Sequence, residues 1–273
     1  MLYKYLPFER VDVLESLSIR FSPLGSLNDP FECQPLIDMR NEKSVLINEI
    51  IDDLNNLWSR TDEKEKTLEN KKILEDTKQN LINRIKAKTD SYAVGQELMS
   101  LLGDNLGVLS LSRTNSSLLM WSHYASEGKG IVLGLNDEHS FFRQRDMKGD
   151  ITRPIPVVYT DKRRKIAPGE DRYYEKLLCE KPIDWAYEEE ERLFRTFLTK
   201  SGSIGQDDYG QDIILCDLPK EVIKAIYIGY RADEKTKERA SSAIKKNGID
   251  CTMYGSEICR DEYRLNFSKI EIT

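Results

Sequence analysis

A charged, helix-forming stretch interrupts an otherwise strand-rich chain, and this interruption constrains the fold more than any other feature. From about Asn41 to Leu102, apolar residues recur at spacings near three and four between runs of Lys and Glu. That spacing predicts two or three amphipathic helices, with a break near residues 60–65. Because strand-like segments stand on both sides, we expect a helical insertion at about residues 41–103, carried on the main fold.

The flanking segments indicate strands and helices without regular alternation between the two. Alternating or continuous apolar runs predict strands at residues 2–5, 18–22, 107–113, 130–135, 154–160, from about 190, at 212–219, after a turn within 218–230, and in two closing segments. Helical spacing marks residues 8–17, 117–125, 172–179 and 233–248. The sequence therefore predicts a single α+β domain over residues 1–273, with a mixed, largely antiparallel sheet, flanking helices and the insertion.

Composition narrows the class of protein. The chain has 273 residues, with 41 Lys and Arg against 47 Asp and Glu, so its net charge of −6 argues against broad nucleic-acid binding. No apolar run approaches the ~20 residues that span a bilayer, and the first ten residues lack a signal-peptide core. Five widely spaced cysteines form no CxxC pair, which argues against a zinc site or a disulfide framework. We expect a soluble, cytoplasmic protein with no membrane partner.

The stretch from Trp121 to Gly130 concentrates polar and ring-bearing side chains ahead of a glycine turn. Trp, Ser, His and Tyr stand consecutively at 121–124, and His123 is one of only two histidines. Such groups next to a strand are typical of ligand-binding and catalytic sites. Since adjacent residues point apart on a helix or a strand, Ser122 and His123 do not form a nucleophile–base pair. We interpret His123 as a positioning or ligand-binding group.

Three segments carry a family resemblance: NDPFE at 28–32, MWSHYA at 120–125 with a following Gly130, and KPIDWAYEEEER at 181–192. Together with the opening YKY at 3–5, Leu111-Ser112 and the Val158-Tyr159 pair, the chain resembles an uncharacterised bacterial family. In that family the last motif reads K-x3-W-x-YE-x-E-x-R, which selects Lys181, Glu188, Glu190 and Arg192 here. The resemblance labels the chain but implies no established activity.

The pair Glu188 and Glu190 supports an enzymatic interpretation. Residues two apart on a strand share a face, and two close carboxylates raise one another's pKa. With Ser110 and Ser112 on an earlier strand, the layout resembles that of ADP-ribosyltransferases. This resemblance implies NAD as the small-molecule or nucleotide ligand, Glu190 as the catalytic residue, His123 or Arg113 at the phosphate or ribose, and Tyr124 or Trp121 against nicotinamide. Lys4 stands where those enzymes carry Arg or His. An effector or phage-defence role would follow.

Two other interpretations remain open. Asp29, Glu32, Glu188 and Glu190 with His123 could hold Mg²⁺ or Mn²⁺ for phosphodiester hydrolysis, with Lys181 at the phosphate, although no dedicated metal ligand is assigned. Alternatively, the chain is a non-catalytic binding module whose protein partner docks on residues 41–102. The predicted site consists of Asn28, Asp29, Glu32, Arg113, Trp121, His123, Tyr124, Lys181, Glu188, Glu190 and Arg192.

Overall fold

Seven α-helices are present in the part of the chain that the structure describes. The structure is a computed structural model, and it describes residues 1–32, 34–38, 43–61, 63–64, 66–103, 106–145, 151–196 and 203–272. The helices are α1 (Asp12–Ser16), α2 (Lys43–Arg60), α3 (Leu68–Ala87), α4 (Ser91–Gly103), α5 (Leu118–Tyr124), α6 (Tyr173–Leu178) and α7 (Glu234–Asn247). The expected helical stretch therefore forms three helices, α2 to α4, and the expected break falls between α2 and α3.

The strands in the first half of the chain are β1 (Leu2–Leu6), β2 (Ser18–Arg20), β3 (Ser22–Pro23), β4 (Leu36–Ile37), β5 (Leu106–Ser112), β6 (Ile131–Leu135), β7 (Gln144–Arg145), β8 (Ile151–Thr152) and β9 (Ile155–Pro156). Those that follow are β10 (Val158–Thr160), β11 (Lys165–Ile166), β12 (Glu180–Pro182), β13 (Glu190–Thr196), β14 (Ser203–Gln206), β15 (Asp212–Asp217), β16 (Ile223–Ile228), β17 (Thr252–Ile258) and β18 (Leu265–Lys269).

A nine-stranded mixed sheet forms the centre of the fold. Its order is β18-β17-β16-β6-β1-β5-β13-β9, with β3 paired to β5. Only the β16–β17 pair is parallel among the described pairs of this sheet, so the sheet is mostly antiparallel. The predicted α+β class, with a mixed and largely antiparallel sheet, is confirmed. No helix among the described residues is both long and apolar enough to span a bilayer.

The two faces of the sheet are covered differently. On one face, Leu133 of β6 and Ile226 of β16 share a core with Ile244 of α7. On the other face, Tyr5 of β1 packs edge-on against Trp121 of α5, with ring centroids 5.6 Å apart. This alternation follows from the two-residue repeat of a strand, which sends successive side chains to opposite faces.

A third core joins the insertion to the sheet. Ile47 of α2, Ile85 of α3 and Leu98 of α4 pack in one cluster with Val108 of β5 and Leu177 of α6. The insertion thus buries its apolar faces against the main fold as well as against itself. That the whole chain forms a single domain stays a prediction.

Two strand predictions needed correction. The segment 154–160 forms two strands, because β9 pairs with β13 whereas β10 pairs with β12. Pro156 has no N–H to continue a ladder, and the chain passes from one sheet to the other at that point. The segment 18–22 is likewise divided: β2 pairs with β15, and β3 pairs with β5.

Candidate functional site

The candidate site lies on the α5 side of the sheet, where β5 pairs with β13. Glu190 stands opposite Ser112, and Arg192 stands opposite Ser110. Leu109 and Leu111 belong to the core on the α7 side of the sheet. The alternating residues Ser110, Ser112, Glu190 and Arg192 therefore point to the opposite face. Both members of the β13 pair are buried, with Glu190 4% and Arg192 1% exposed.

Glu188 reaches the same place by a different local structure from the one its spacing predicted. It ends a 3₁₀ helix over Ile183–Glu188, and β13 begins only at Glu190. Glu189 between them has φ 43°, a left-handed conformation that separates the 3₁₀ helix from the strand. The expectation that Glu188 and Glu190 share a strand face is therefore wrong. The turn, whose Glu188 carbonyl accepts a 2.7 Å hydrogen bond from Ser112 Oγ, brings the two carboxylates together instead.

Lys181 of β12 bridges these two carboxylates. Its Nζ lies 2.7 Å from Glu188 Oε2 and 3.2 Å from Glu190 Oε2, and the Lys181 residue is only 4% exposed. Glu32 Oε1 is a third carboxylate oxygen, 3.7 Å from the same ammonium. Removing a charge from water costs free energy, and the attraction between the ammonium and the carboxylates offsets that cost.

Arg192 completes the ion cluster on its inner side. Its Nε and Nη2 hold Glu190 Oε1 and Oε2 at 2.9 and 3.0 Å, the bidentate geometry that suits a guanidinium. Arg192 also donates to the Glu32 carboxylate and to the Leu178 carbonyl oxygen. Asp29 is buried close enough for its charge to act on Arg192, and its Oδ1 accepts the Phe31 N–H at 3.0 Å. The NDPFE loop thus supplies two buried acidic residues to the cluster.

Aromatic and polar side chains lie between the cluster and solvent. Tyr124 Oη donates to Glu188 Oε1 at 2.5 Å and accepts from Asn28 Nδ2 at 3.1 Å. His123 is exposed, and its Nδ1 lies 3.0 Å from Tyr187 Oη. Lys181 Nζ lies 5.0 Å from the centroid of the half-buried Trp185 ring, a cation–π distance. The polar side chains of the site therefore extend from exposed Asn28 and His123 at the surface to the buried carboxylates inside.

Burial and charge act against each other on the ionisable groups of the cluster. Burial raises the pKa of Glu190, although the Lys181 charge opposes the shift. Burial acts to lower the pKa of Lys181, but the Glu190 and Glu188 charges outweigh it and the net shift is upward. Burial lowers the pKa of Arg192 to about 9, which leaves the guanidinium protonated at neutral pH. Burial and the hydrogen bond to Glu188 raise the pKa of Tyr124, so its hydroxyl remains a donor.

Two predicted site residues do not join the cluster. The Trp121 ring is 0% exposed, packs on Tyr5, and donates its Nε1–H to the Asn115 carbonyl oxygen at 2.8 Å. It offers no free face on which a ligand could stack. Arg113 is 45% exposed and pairs with Glu191 Oε1 at 3.6 Å, outside the cluster. The other nine predicted residues lie in the cluster or at its mouth.

Sequence reasoning left three contributors out of the predicted site. Tyr159 Oη accepts the Glu190 N–H at 2.8 Å, Tyr187 contacts His123, and Trp185 lies against Lys181. Tyr159 belongs to the Val158-Tyr159 pair of the motif pattern, and Trp185 and Tyr187 belong to its W-x-Y part, so the motifs were the available signal. Aromatic residues are more often core than site, so their type alone did not distinguish them.

A model of a protein family of unknown function, DUF2971, matches residues 120–193. The match runs from α5 into β13. It includes Tyr124, Lys181, Glu188 and Arg192, and it covers less than half of the chain. The expected similarity to an uncharacterised family is confirmed over this stretch, whereas the YKY and NDPFE motifs lie outside it. No curated protein and no solved structure matches the chain.

Within the described residues, no three carboxylate, imidazole or thiol side chains are arranged to bind a metal ion. The cluster itself explains this result, because Lys181 and Arg192 already hold the oxygen atoms of Glu188 and Glu190.

Proposed function

We propose that the chain is an enzyme that breaks the N-glycosidic bond of NAD and transfers the ADP-ribosyl group. The observation that carries the proposal is the pair of buried carboxylates, Glu188 and Glu190, held by one ammonium group beneath an aromatic mouth. Carboxylates placed beside a sugar stabilise the positive charge that develops on the ring as its C1′ bond breaks. Aromatic side chains at the mouth suit a planar leaving group.

Glu188 is the better candidate for the reacting carboxylate. Both oxygen atoms of Glu190 are held by Arg192, and Lys181 adds a third contact. Glu188 contacts Lys181 through Oε2, but its Oε1 contacts Tyr124, which is half-buried and faces the exposed Asn28. A ribose that replaces these outer contacts would reach Glu188 first, so we assign Glu190 a positioning role. This assignment revises the sequence-based choice of Glu190.

In the proposed reaction the C1′–N bond breaks, and its electron pair leaves with nicotinamide. Glu188 offsets the charge on the ribosyl group, and water or an acceptor side chain then forms the new C1′ bond. The proton released by that nucleophile goes to Glu188 or to His123 at the mouth, since carboxylate and imidazole side chains both act as general bases in enzymes.

The test measures nicotinamide release from NAD by the purified chain, with Glu188→Gln as the test variant and Glu189→Gln as its control. Glu189 is exposed and adjacent, so its variant makes the same chemical change outside the cluster. We expect Glu188→Gln to lower the rate at least ~100-fold, since it removes the negative charge that stabilises the ribosyl cation. Glu189→Gln should stay within about twofold of the parent protein.

A thermal shift separates binding from reaction. NAD at about 100 times its Kd stabilises a protein by ~2.7 kcal/mol, and Glu188→Gln should retain much of this effect. Two results would exclude the proposal: no nicotinamide release and no thermal shift with the parent chain, or an unchanged rate in Glu188→Gln.

A further inference from the structure

A second cavity of about 260 Å³ lies beside β12, with walls from β4, β10, β11 and α6, and it shares Lys181 with the ion cluster. Five of the lining residues are cationic, and two, Asp161 and Glu180, are acidic. The cationic ones are Lys162, Arg163, Arg164, Lys176 and Lys181. A concave surface with this excess of one sign of charge concentrates oppositely charged ligands. The local charge is notable because the chain as a whole carries −6.

The cationic side chains of the cavity differ in whether they already have a partner within the protein. Arg164 pairs with Glu180 at 3.3 Å, and Lys176 pairs with Glu170 at 2.8 Å. Lys181 is held by the carboxylates of the ion cluster, Glu188 and Glu190. The Lys162 ammonium is exposed and has no ion-pair partner among the described residues. Arg163 is fixed in position, because it donates to the Gln34 carbonyl oxygen and its guanidinium lies 5.8 Å from the Tyr92 ring centroid. The cavity therefore combines a fixed guanidinium with an unpaired ammonium.

Phe31 adds an aromatic wall to the same cavity. It is 57% exposed, whereas Asp29 and Glu32 of the same loop are 4% and 6% exposed. A large exposed aromatic ring at the edge of a cavity is typical of a ligand site. The NDPFE loop thus turns its acidic residues toward the ion cluster and its ring toward the cavity.

We infer that this cavity binds a nucleoside phosphate, with the phosphates against Lys162 and Arg163 and the base against Phe31. Arg and Lys recognise phosphate oxygens by charge-assisted hydrogen bonds, and an aromatic ring stacks on any base. The inference stands apart from the proposed reaction, because binding in the cavity requires no bond cleavage at Glu188.

The test is calorimetric titration of the full chain with ADP at low salt, with adenosine and pyrophosphate as comparison ligands. Lys162→Glu should weaken ADP binding about tenfold or more, since it replaces an attractive charge with a repulsive one. Lys71→Glu on α3 is the matched control, because Lys71 is exposed and does not line the cavity. It should leave ADP affinity within about twofold. Phe31→Ala should weaken ADP but leave pyrophosphate unchanged.

Several results would overturn the inference. They are no ADP binding by the parent chain, adenosine binding as tight as ADP binding, and equal weakening by Lys71→Glu and Lys162→Glu. Thermal unfolding of each variant checks that the chain still folds. Lys162→Glu distinguishes the two proposals, because Lys162 lines the cavity and lies outside the ion cluster. Weakened ADP binding with unchanged nicotinamide release places ADP in the cavity, whereas unchanged ADP binding rules out the cavity. If the parent chain releases nicotinamide from NAD but binds no ADP, only the proposal for the cavity is contradicted.

Discussion

Arg192 is the residue on which the buried charges most depend. It is 1% exposed and contacts two carboxylates, those of Glu32 and Glu190, from elements far apart in the chain. We predict that Arg192→Met lowers the free energy of unfolding by about 3–5 kcal/mol, because it leaves both carboxylates buried with less compensation. Urea denaturation at pH 7 measures the change.

Arg113→Met is the control for this prediction. Arg113 makes an ion pair too, but it is 45% exposed and lies 3.6 Å from Glu191. An exposed pair contributes less than about 1 kcal/mol, so this variant should be nearly as stable as the parent chain. Equal losses in the two variants would show that the buried cluster contributes no more to stability than a surface pair does.

For individual residues, the sequence predicted which ones form the site better than it predicted their geometry. Motif spacing selected Lys181, Glu188, Glu190 and Arg192, and all four meet in one cluster. The left-handed Glu189 could not be foreseen, because a non-glycine residue with positive φ has no sequence signature. Trp121 was misassigned since the pattern of α5 did not reveal which of its faces the core would cover.

Among the elements, α4 supports the site through a close backbone contact. A Cβ atom on Gly95 would lie 2.1 Å from the Pro35 carbonyl oxygen, three residues beyond Glu32. Helix α4 therefore packs directly on the segment that follows the NDPFE loop. Part of the insertion thus acts as a support for the loop that supplies Glu32 to Arg192.

This contact predicts that Gly95→Ala, a substitution that normally favours a helix, destabilises the protein. Alanine normally stabilises a helix by ~1 kcal/mol relative to glycine. Gly95→Ala should instead lower the free energy of unfolding by about 1–3 kcal/mol, because the clash is with backbone and cannot be relieved by a side-chain rotation. Thermal or urea unfolding measures it, and a stabilised Gly95→Ala protein would contradict the packing of α4 on Pro35.

Gly103→Ala in the same helix is the matched control. Its added Cβ would meet only Leu24 Cβ at 3.8 Å, an ordinary contact. That variant should change the free energy of unfolding by less than about 1 kcal/mol in either direction.

The sequence predicted helices well where a long apolar pattern marks them. It predicted strands poorly where one segment contributes to two different sheets. The three insertion helices and α7 follow directly from their apolar spacing. The division of residues 154–160 into β9 and β10 depends on which partner strand each half meets. Pairing partners are set by the tertiary fold, so a local pattern cannot specify them.

Over the whole molecule, the insertion and the sheet share apolar surface. Ile85 and Leu98 of the insertion are at most 1% exposed, and they pack in the same cluster as Val108 of the central sheet. Removal of either part would expose the partner surface of the other. The sequence predicted the helices but not this shared core, because amphipathic periodicity shows that a face is buried and not what buries it.

The shared core predicts that the chain unfolds as one cooperative unit. Trp58 lies on α2, whereas Trp121 and Trp185 lie on α5 and near the ion cluster, so fluorescence of a Trp58→Phe variant reports only on the main fold. Circular dichroism at 222 nm reports mainly on helix, much of which belongs to α2, α3 and α4. We expect the two signals to give the same urea midpoint and the same slope, the mark of a two-state transition. An insertion that folds independently would instead lose its helical signal at a separate midpoint, and the Trp58→Phe fluorescence would be unchanged at that step.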